Sequence, residues 1–142
     1  MELVVDSSVT VKWYVDEQYS SEARRILADY KTRSLILLAP DLVHAEFGNI
    51  MWKKQTFQGF DANDAKMIVS KFCAEKVFRL ASTEDLLEDA YPLAIAHKRT
   101  VYDMLYLALS LRFGCQFVTA DEKLVNAIGS AFPNVVWLAN WS

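Results

Sequence analysis

Short, largely apolar runs recur along the chain at 3–5, 35–38, 77–80, 117–119 and 135–138, each about the length of one strand. Between them, apolar positions fall at helical spacing and predict helices over 21–33, 41–55, 61–74, 82–98, 101–113 and 122–131. Most of the predicted strands are apolar end to end rather than alternating, which implies burial on both faces. With helical crossovers between them, the expected fold class is α/β: a three-layer α/β/α arrangement around a central, mainly parallel five-stranded sheet. No repeat, linker or shift of composition interrupts this alternation, so residues 1–142 are expected to form a single domain.

Several helix ends carry their own signals. Asp41 after Pro40, Asp61 with Asp64, and Ser82 with Asp85 are expected to cap helix N-termini. Gly114, directly after Leu111-Arg112-Phe113, is expected to close its helix in the left-handed conformation. Pro92 lies within the 82–98 helix and is expected to bend or split it.

Composition narrows the function classes. With 53% hydrophobic and 23% charged residues, 4 Gly and 3 Pro, the sequence is neither disordered nor collagen-like. The start Met1-Glu2-Leu3-Val4-Val5-Asp6 lacks the basic and long apolar regions of a signal peptide, and no apolar run approaches membrane-spanning length. Cytoplasmic residence without a membrane partner is therefore expected. Cys73 and Cys115 stand in no metal-ligand spacing and read as reduced core thiols, which argues against zinc. The net charge of -3 gives no basic footprint for holding nucleic acid by charge alone. That objection weakens if several carboxylates are committed to cations.

In an open parallel sheet, ligands bind beyond the carboxyl ends of the strands. Four acids suit that position. Asp6 ends the first run, Asp121 follows the fourth, Glu46 lies early in the helix after the second, and Asp103 opens a helix that is apolar nearly all round. Singly, Asp6 and Asp121 read equally well as helix caps, and Asp103 as an acid favoured by a helix dipole. Together, four carboxylates with no basic neighbours arranged to neutralise them suit Mg²⁺ or Mn²⁺, which prefer oxygen ligands.

The histidines fit this site poorly. A two-residue helical step rotates about 200°, so His44 points away from Glu46; His97 sits near a helix end, where positive charge is favoured. Trp13, Tyr14, Phe47, Trp52 and Phe57 have the spacing of core or dimer-surface positions, with base stacking the alternative. Among the paired cations, Lys53, Lys54 and Arg99 are candidate phosphate contacts; solvated helix faces explain them equally.

The segments Val5-Asp6-Ser7-Ser8-Val9, His44-Ala45-Glu46, Tyr102-Asp103-Met104-Leu105-Tyr106-Leu107-Ala108-Leu109 and Thr119-Ala120-Asp121-Glu122-Lys123-Leu124 resemble, in order, the motifs of PIN-domain ribonucleases, particularly the VapC toxins of toxin-antitoxin systems. The resemblance spans nearly the whole chain. It implies that Asp6, Glu46, Asp103 and Asp121 are catalytic acids holding one or two Mg²⁺ ions, with Mn²⁺ able to substitute, and that Ser8 and Thr119 are hydroxyl residues beside them. It further implies cleavage of RNA, homodimerisation, and inhibition by a cognate VapB-like antitoxin. Two other readings stand beside it. One is a receiver-type Mg²⁺-binding signalling domain, which would expect adjacent acids where this chain has Ser7-Ser8. The other is an inert PIN scaffold that binds RNA or protein without cutting.

Overall fold

The computed structural model describes residues 1–142. Its strands are β1 (Glu2–Val5), β2 (Ile36–Pro40), β3 (Arg79–Ala81), β4 (Gln116–Thr119) and β5 (Val135–Trp137). Its helices are α1 (Ser7–Thr10), α2 (Ser20–Lys31), α3 (Val43–Phe57), α4 (Ala62–Glu75), α5 (Thr83–His97), α6 (Val101–Phe113) and α7 (Glu122–Ile128). The five strands form one sheet in the order β3-β2-β1-β4-β5, and every pairing is parallel.

Successive strand residues face opposite layers, as the pleat requires. Leu3, Val5, Leu37 and Val118 pack with Val9, Trp13, Ala23 and Ile26 on the α1 and α2 side. Val4, Leu38 and Phe117 pack on the other side with α3, α4, α5, α6 and α7. In α6, Met104 through Ser110 are all buried, which is why its sequence shows no polar face. This is the three-layer arrangement expected from the strand pattern.

The direction in which strands are added reverses between β1 and β4: β2 and β3 extend the sheet one way from β1, whereas β4 and β5 extend it the other. The crevice beyond the carboxyl ends of β1 and β4 is thus the topological switch point, where ligands bind in such sheets. The same order separates this chain from receiver domains, whose strands run 2-1-3-4-5.

Most end signals hold. Asp61 accepts from the backbone N–H of Asp64 at 2.9 Å, Ser82 from that of Asp85 at 3.4 Å, and Gly114 adopts φ 61° after α6. Asp41 does not cap its own helix: α3 starts two residues later without a side-chain cap, and the Asp41 carboxylate instead accepts from the N–H and hydroxyl of Thr83 at the start of α5. Pro92 does not split α5. Pro92 and Glu88 both lie on the exposed face, so the carbonyl that the missing N–H leaves free is on the solvent side of the helix. Cys73 is exposed rather than in the core, while Cys115 is half-buried.

Candidate active site

Asp6 stands where β1 ends and α1 begins, 8% exposed. One carboxylate oxygen accepts the N–H groups of Ser8 (3.1 Å) and Val9 (3.3 Å) and the Ser8 hydroxyl. The other accepts the hydroxyl of Thr119, which ends β4 and is fully buried. Asp6 is therefore a helix cap and also the acid tied across the switch point. Burial dominates its chemistry and raises its pKa from 3.8 to about 6; Ser8 and Thr119 oppose that rise, and the nearby Glu46 charge adds to it.

The two hydroxyls are themselves fixed by backbone. Ser8 Oγ accepts the N–H of Ala120 at 3.0 Å, and Thr119 Oγ1 accepts that of Asp121 at 3.1 Å. With its oxygen accepting a backbone N–H, each hydroxyl keeps its own O–H directed at the Asp6 carboxylate. Asp121 caps α7 through the N–H of Leu124, 3.2 Å away.

Glu46 enters from the first turn of α3. Its Oε1 accepts the Tyr106 hydroxyl at 2.6 Å and the Ser7 hydroxyl at 3.3 Å, and Oε2 has no protein partner. Burial raises the Glu46 pKa, the two hydroxyls lower it, and Asp103 raises it again. Asp103 lies in the first turn of α6, which Thr100 caps by accepting its N–H at 3.1 Å. Burial likewise raises the Asp103 pKa; Arg99, whose guanidinium is 3.8 Å from Oδ2, lowers it, and Asp121 raises it.

The structure thus brings the four acids into one chain of repulsion: Asp6 senses Glu46, Glu46 senses Asp103, and Asp103 senses Asp121. Arg99 is the sole ion-paired cation among them. No three of these side chains converge closely enough as they stand to enclose an ion, so ligation requires rotation of at least some of them. Asp103 and the free Glu46 oxygen have that latitude, whereas Asp6 is held by four hydrogen bonds. As a donor set, hard oxygens repelling one another suit a hard divalent cation, which reverses the sign of the local field.

The candidate phosphate contacts separate. Arg99 borders the cluster through Asp103, and Lys53 is exposed on α3. Lys54 lies two turns from Glu46 and is held 2.9 Å from Glu17, which also binds Lys12 at 3.1 Å. Burial alone would raise the Glu17 pKa, but these two ammonium groups bring it below its ordinary value. His44 packs its ring against Phe72 and His97 against Phe132, both outside the cluster. Trp13 and Phe47 are core and Tyr14 is partly buried, whereas Trp52 and Phe57 form an exposed edge-to-face pair with ring centroids 5.4 Å apart.

Sequence reasoning missed Ser7 and Tyr106. The available signal was a phenol in an otherwise apolar helix, three residues beyond Asp103 and hence on its face. Tyr106→Phe is expected to keep the fold, lowering stability by about 1 kcal/mol for one hydrogen bond. It frees Glu46, so divalent-metal affinity is expected to fall several-fold, read by Mn²⁺ titration calorimetry. Unchanged affinity would show that Tyr106 does not position Glu46.

A protein-family model described as PIN domain matches residues 3–128. Ribonuclease VapC3 of Pyrobaculum aerophilum is 32% identical over 126 residues, covering 87% of this chain and 92% of that protein. Among solved structures, PAE2754 from Pyrobaculum aerophilum is similar with a TM-score of 0.69 and 21% identity, over 98% of this chain and 85% of that one. VapC20 of Mycobacterium tuberculosis, a sarcin–ricin-loop-cleaving toxin, is similar with a TM-score of 0.64 and 17% identity, over 88% of this chain and 94% of that one. At these identities the two structures speak to the fold.

Proposed function

The chain belongs to the PIN domain family, and we propose that it is an endoribonuclease dependent on Mg²⁺ or Mn²⁺ and the toxin of a VapBC-type toxin-antitoxin pair. The observation that supports this reading is the buried Asp6 carboxylate at the switch point, oriented by Ser8 and Thr119, with Glu46, Asp103 and Asp121 following it in a row of mutually repelling carboxylates. Asp6 and Asp103 are the principal ligands of one or two ions, and Glu46 and Asp121 support them directly or through water.

When bound, a divalent ion supplies a Lewis acid for the scissile phosphate and lowers the pKa of attacking water. The chain's own groups do the rest. Asp6 stays ionised near neutral pH because its pKa, though raised to about 6, remains below 7. Glu46 Oε2, free of protein partners, can orient the water and take its proton. Arg99, rather than the occupied Lys54, is the cation best placed to meet a substrate phosphate beside Asp103.

The partners follow from the same reading: an RNA substrate, a cognate VapB-like antitoxin covering the groove, and a second copy of the chain. Leu87, Tyr91 and Ile95 recur one turn apart on α5 and are 44%, 57% and 64% exposed, which supports a homodimer face there. No helix is long and apolar enough to cross a membrane; a cytoplasmic site of action completes the proposal.

The purified chain, free of antitoxin, is expected to cleave single-stranded RNA in Mn²⁺ and to leave it intact in EDTA. RNA that binds without being cut under both conditions would favour the inert-scaffold reading instead.

A further inference from the structure

Four cations converge on a cleft that lies away from the acidic site. Lys31 ends α2, Arg33 follows it, Lys76 follows α4, and Arg79 begins β3; all four line a cavity of about 800 Å³. None of them is in an ion pair. No carboxylate lines the cavity. Glu75, next to Lys76, turns its carboxylate to the Tyr14 hydroxyl at 3.0 Å and lines a neighbouring cavity that Lys31 also borders, so Arg33, Lys76 and Arg79 are the cations with no carboxylate in a shared cavity.

Helix dipoles account for part of this. Lys31 and Lys76 sit at helix C-termini, where cations are favoured. Two such termini carry roughly -0.5 charge each, offsetting about one of the four positive charges. Arg79 starts a strand and has no such partner. In a chain of net charge -3, a carboxylate-free cleft with this excess is not a by-product of composition.

The cleft floor is apolar and partly aromatic. Ile36 is 37% exposed there, Tyr30 forms part of the wall, and the Phe78 ring is stacked on Trp13 at 5.8 Å. Cations at the rim above an apolar and aromatic floor match the two faces of a single-stranded nucleic acid, phosphates and unstacked bases. A carboxylate-rich peptide would use the rim alone.

The cleft lies at the amino ends of β2 and β3, the opposite edge of the sheet from the acids. Ile36 and Pro40 are four strand steps apart, roughly 13 Å, and β2 is buried between them, so a single strand reaching both sites passes around the outside of the domain over several nucleotides. We infer that the Lys31, Arg33, Lys76 and Arg79 cleft is a second RNA-binding site, holding the phosphodiester backbone of a substrate segment several nucleotides from the scissile bond. This inference rests on the ribonuclease reading for its substrate, but binding to the cleft is measurable without cleavage.

The test pairs Arg33→Gln/Arg79→Gln with Arg25→Gln/Lys66→Gln, which removes the same charge from exposed positions outside the cleft. Binding of a fluorescein-labelled 12-nucleotide uridine RNA is followed by anisotropy in EDTA at several salt concentrations, with thermal melts to confirm that each variant is folded. The cleft variant is expected to bind at least tenfold more weakly than wild type and to lower the magnitude of the log–log salt slope by roughly 1.4, the amount for two lost phosphate contacts. The control pair should bind as wild type does. In Mn²⁺ the cleft variant should show a raised KM for RNA at unchanged kcat.

Equal weakening in both pairs, unaltered binding by the cleft variant, or tighter binding of a 12-residue oligoglutamate than of RNA would each overturn the cleft assignment. RNA binding that depends on the cleft, without any Mn²⁺-dependent cleavage by wild type, would refute the nuclease reading and leave the second site standing. Cleavage with cleft-independent binding would do the reverse.

Discussion

Asp103→Ala is expected to abolish Mn²⁺-dependent RNA cleavage while leaving the fold intact. The Asp103 side chain is 30% exposed and caps nothing; Thr100 supplies the cap of α6. Its removal therefore takes away no structural bond beyond a 3.8 Å, partly exposed pair with Arg99, worth at most about 1 kcal/mol at that separation. Losing even an outer-shell partner of a metal ligand lowers affinity or activity roughly 10–100-fold, so losing a ligand should exceed about 100-fold. Cleavage assays on protein with an unchanged melting temperature decide it. Activity within a factor of a few of wild type would remove Asp103 from the site.

Asp6→Asn is expected to inactivate the protein and yet stabilise it in EDTA. The sign follows from the direction of the shift. The folded state holds the Asp6 proton more tightly than the unfolded chain does, because burial raises the folded pKa from 3.8 to about 6. The contribution of Asp6 to stability is then fully present below about pH 4, is lost as pH rises through about 6, and stays lost above it. The interval corresponds to roughly 3 kcal/mol. Asn keeps the shape, accepts the Ser8 and Val9 N–H groups, and carries no charge to desolvate.

Urea denaturation in EDTA at pH 7.5 should therefore give Asp6→Asn about 1–3 kcal/mol more stability than wild type, with a flatter profile between pH 4 and 6. Glu46 and Asp103, raised in the same direction, leave part of that slope in place. Added Mn²⁺ should stabilise wild type and not the variant, since only ionised Asp6 rewards the ion. A variant less stable than wild type at pH 7.5 would mean that the hydrogen bonds to Asp6 outweigh its desolvation. Such opposition between stability and activity is common where charges are gathered for function.

The fold class and the placement of Asp6 and Asp121 were legible because both rest on local pattern. Apolar runs mark buried strands whatever they pair with, and an acid directly after a strand lies at the carboxyl edge in any parallel sheet. What depended on distant partners was not legible. Strand order is invisible in runs of three to five residues, although it is the order 3-2-1-4-5 that places Asp6 beside Thr119 and sets aside the receiver reading.

The same distinction explains the misplaced details. Asp41 has the local signature of a cap, but its carboxylate is taken by Thr83 across the β2–β3 edge. Lys54 reads as a free cation until Glu17 is folded against it. Pro92 signals a break, but a proline on a solvent-facing turn leaves its helix continuous. Helix α1, with four residues, is too short to show a period. Tyr106 was hidden by the rule that identified its helix, since an apolar run conceals the one hydroxyl that matters in it.

The most direct test of the central claim is a crystal structure of the wild-type chain soaked in Mn²⁺, with anomalous scattering used to place the ions. The prediction is one or two manganese peaks bounded by Asp6, Glu46, Asp103 and Asp121, with Asp6 still bonded to Ser8 and Thr119 and the Asp103 or Glu46 side chain rotated inward. Manganese held by other residues, with these four carboxylates unchanged, would contradict it.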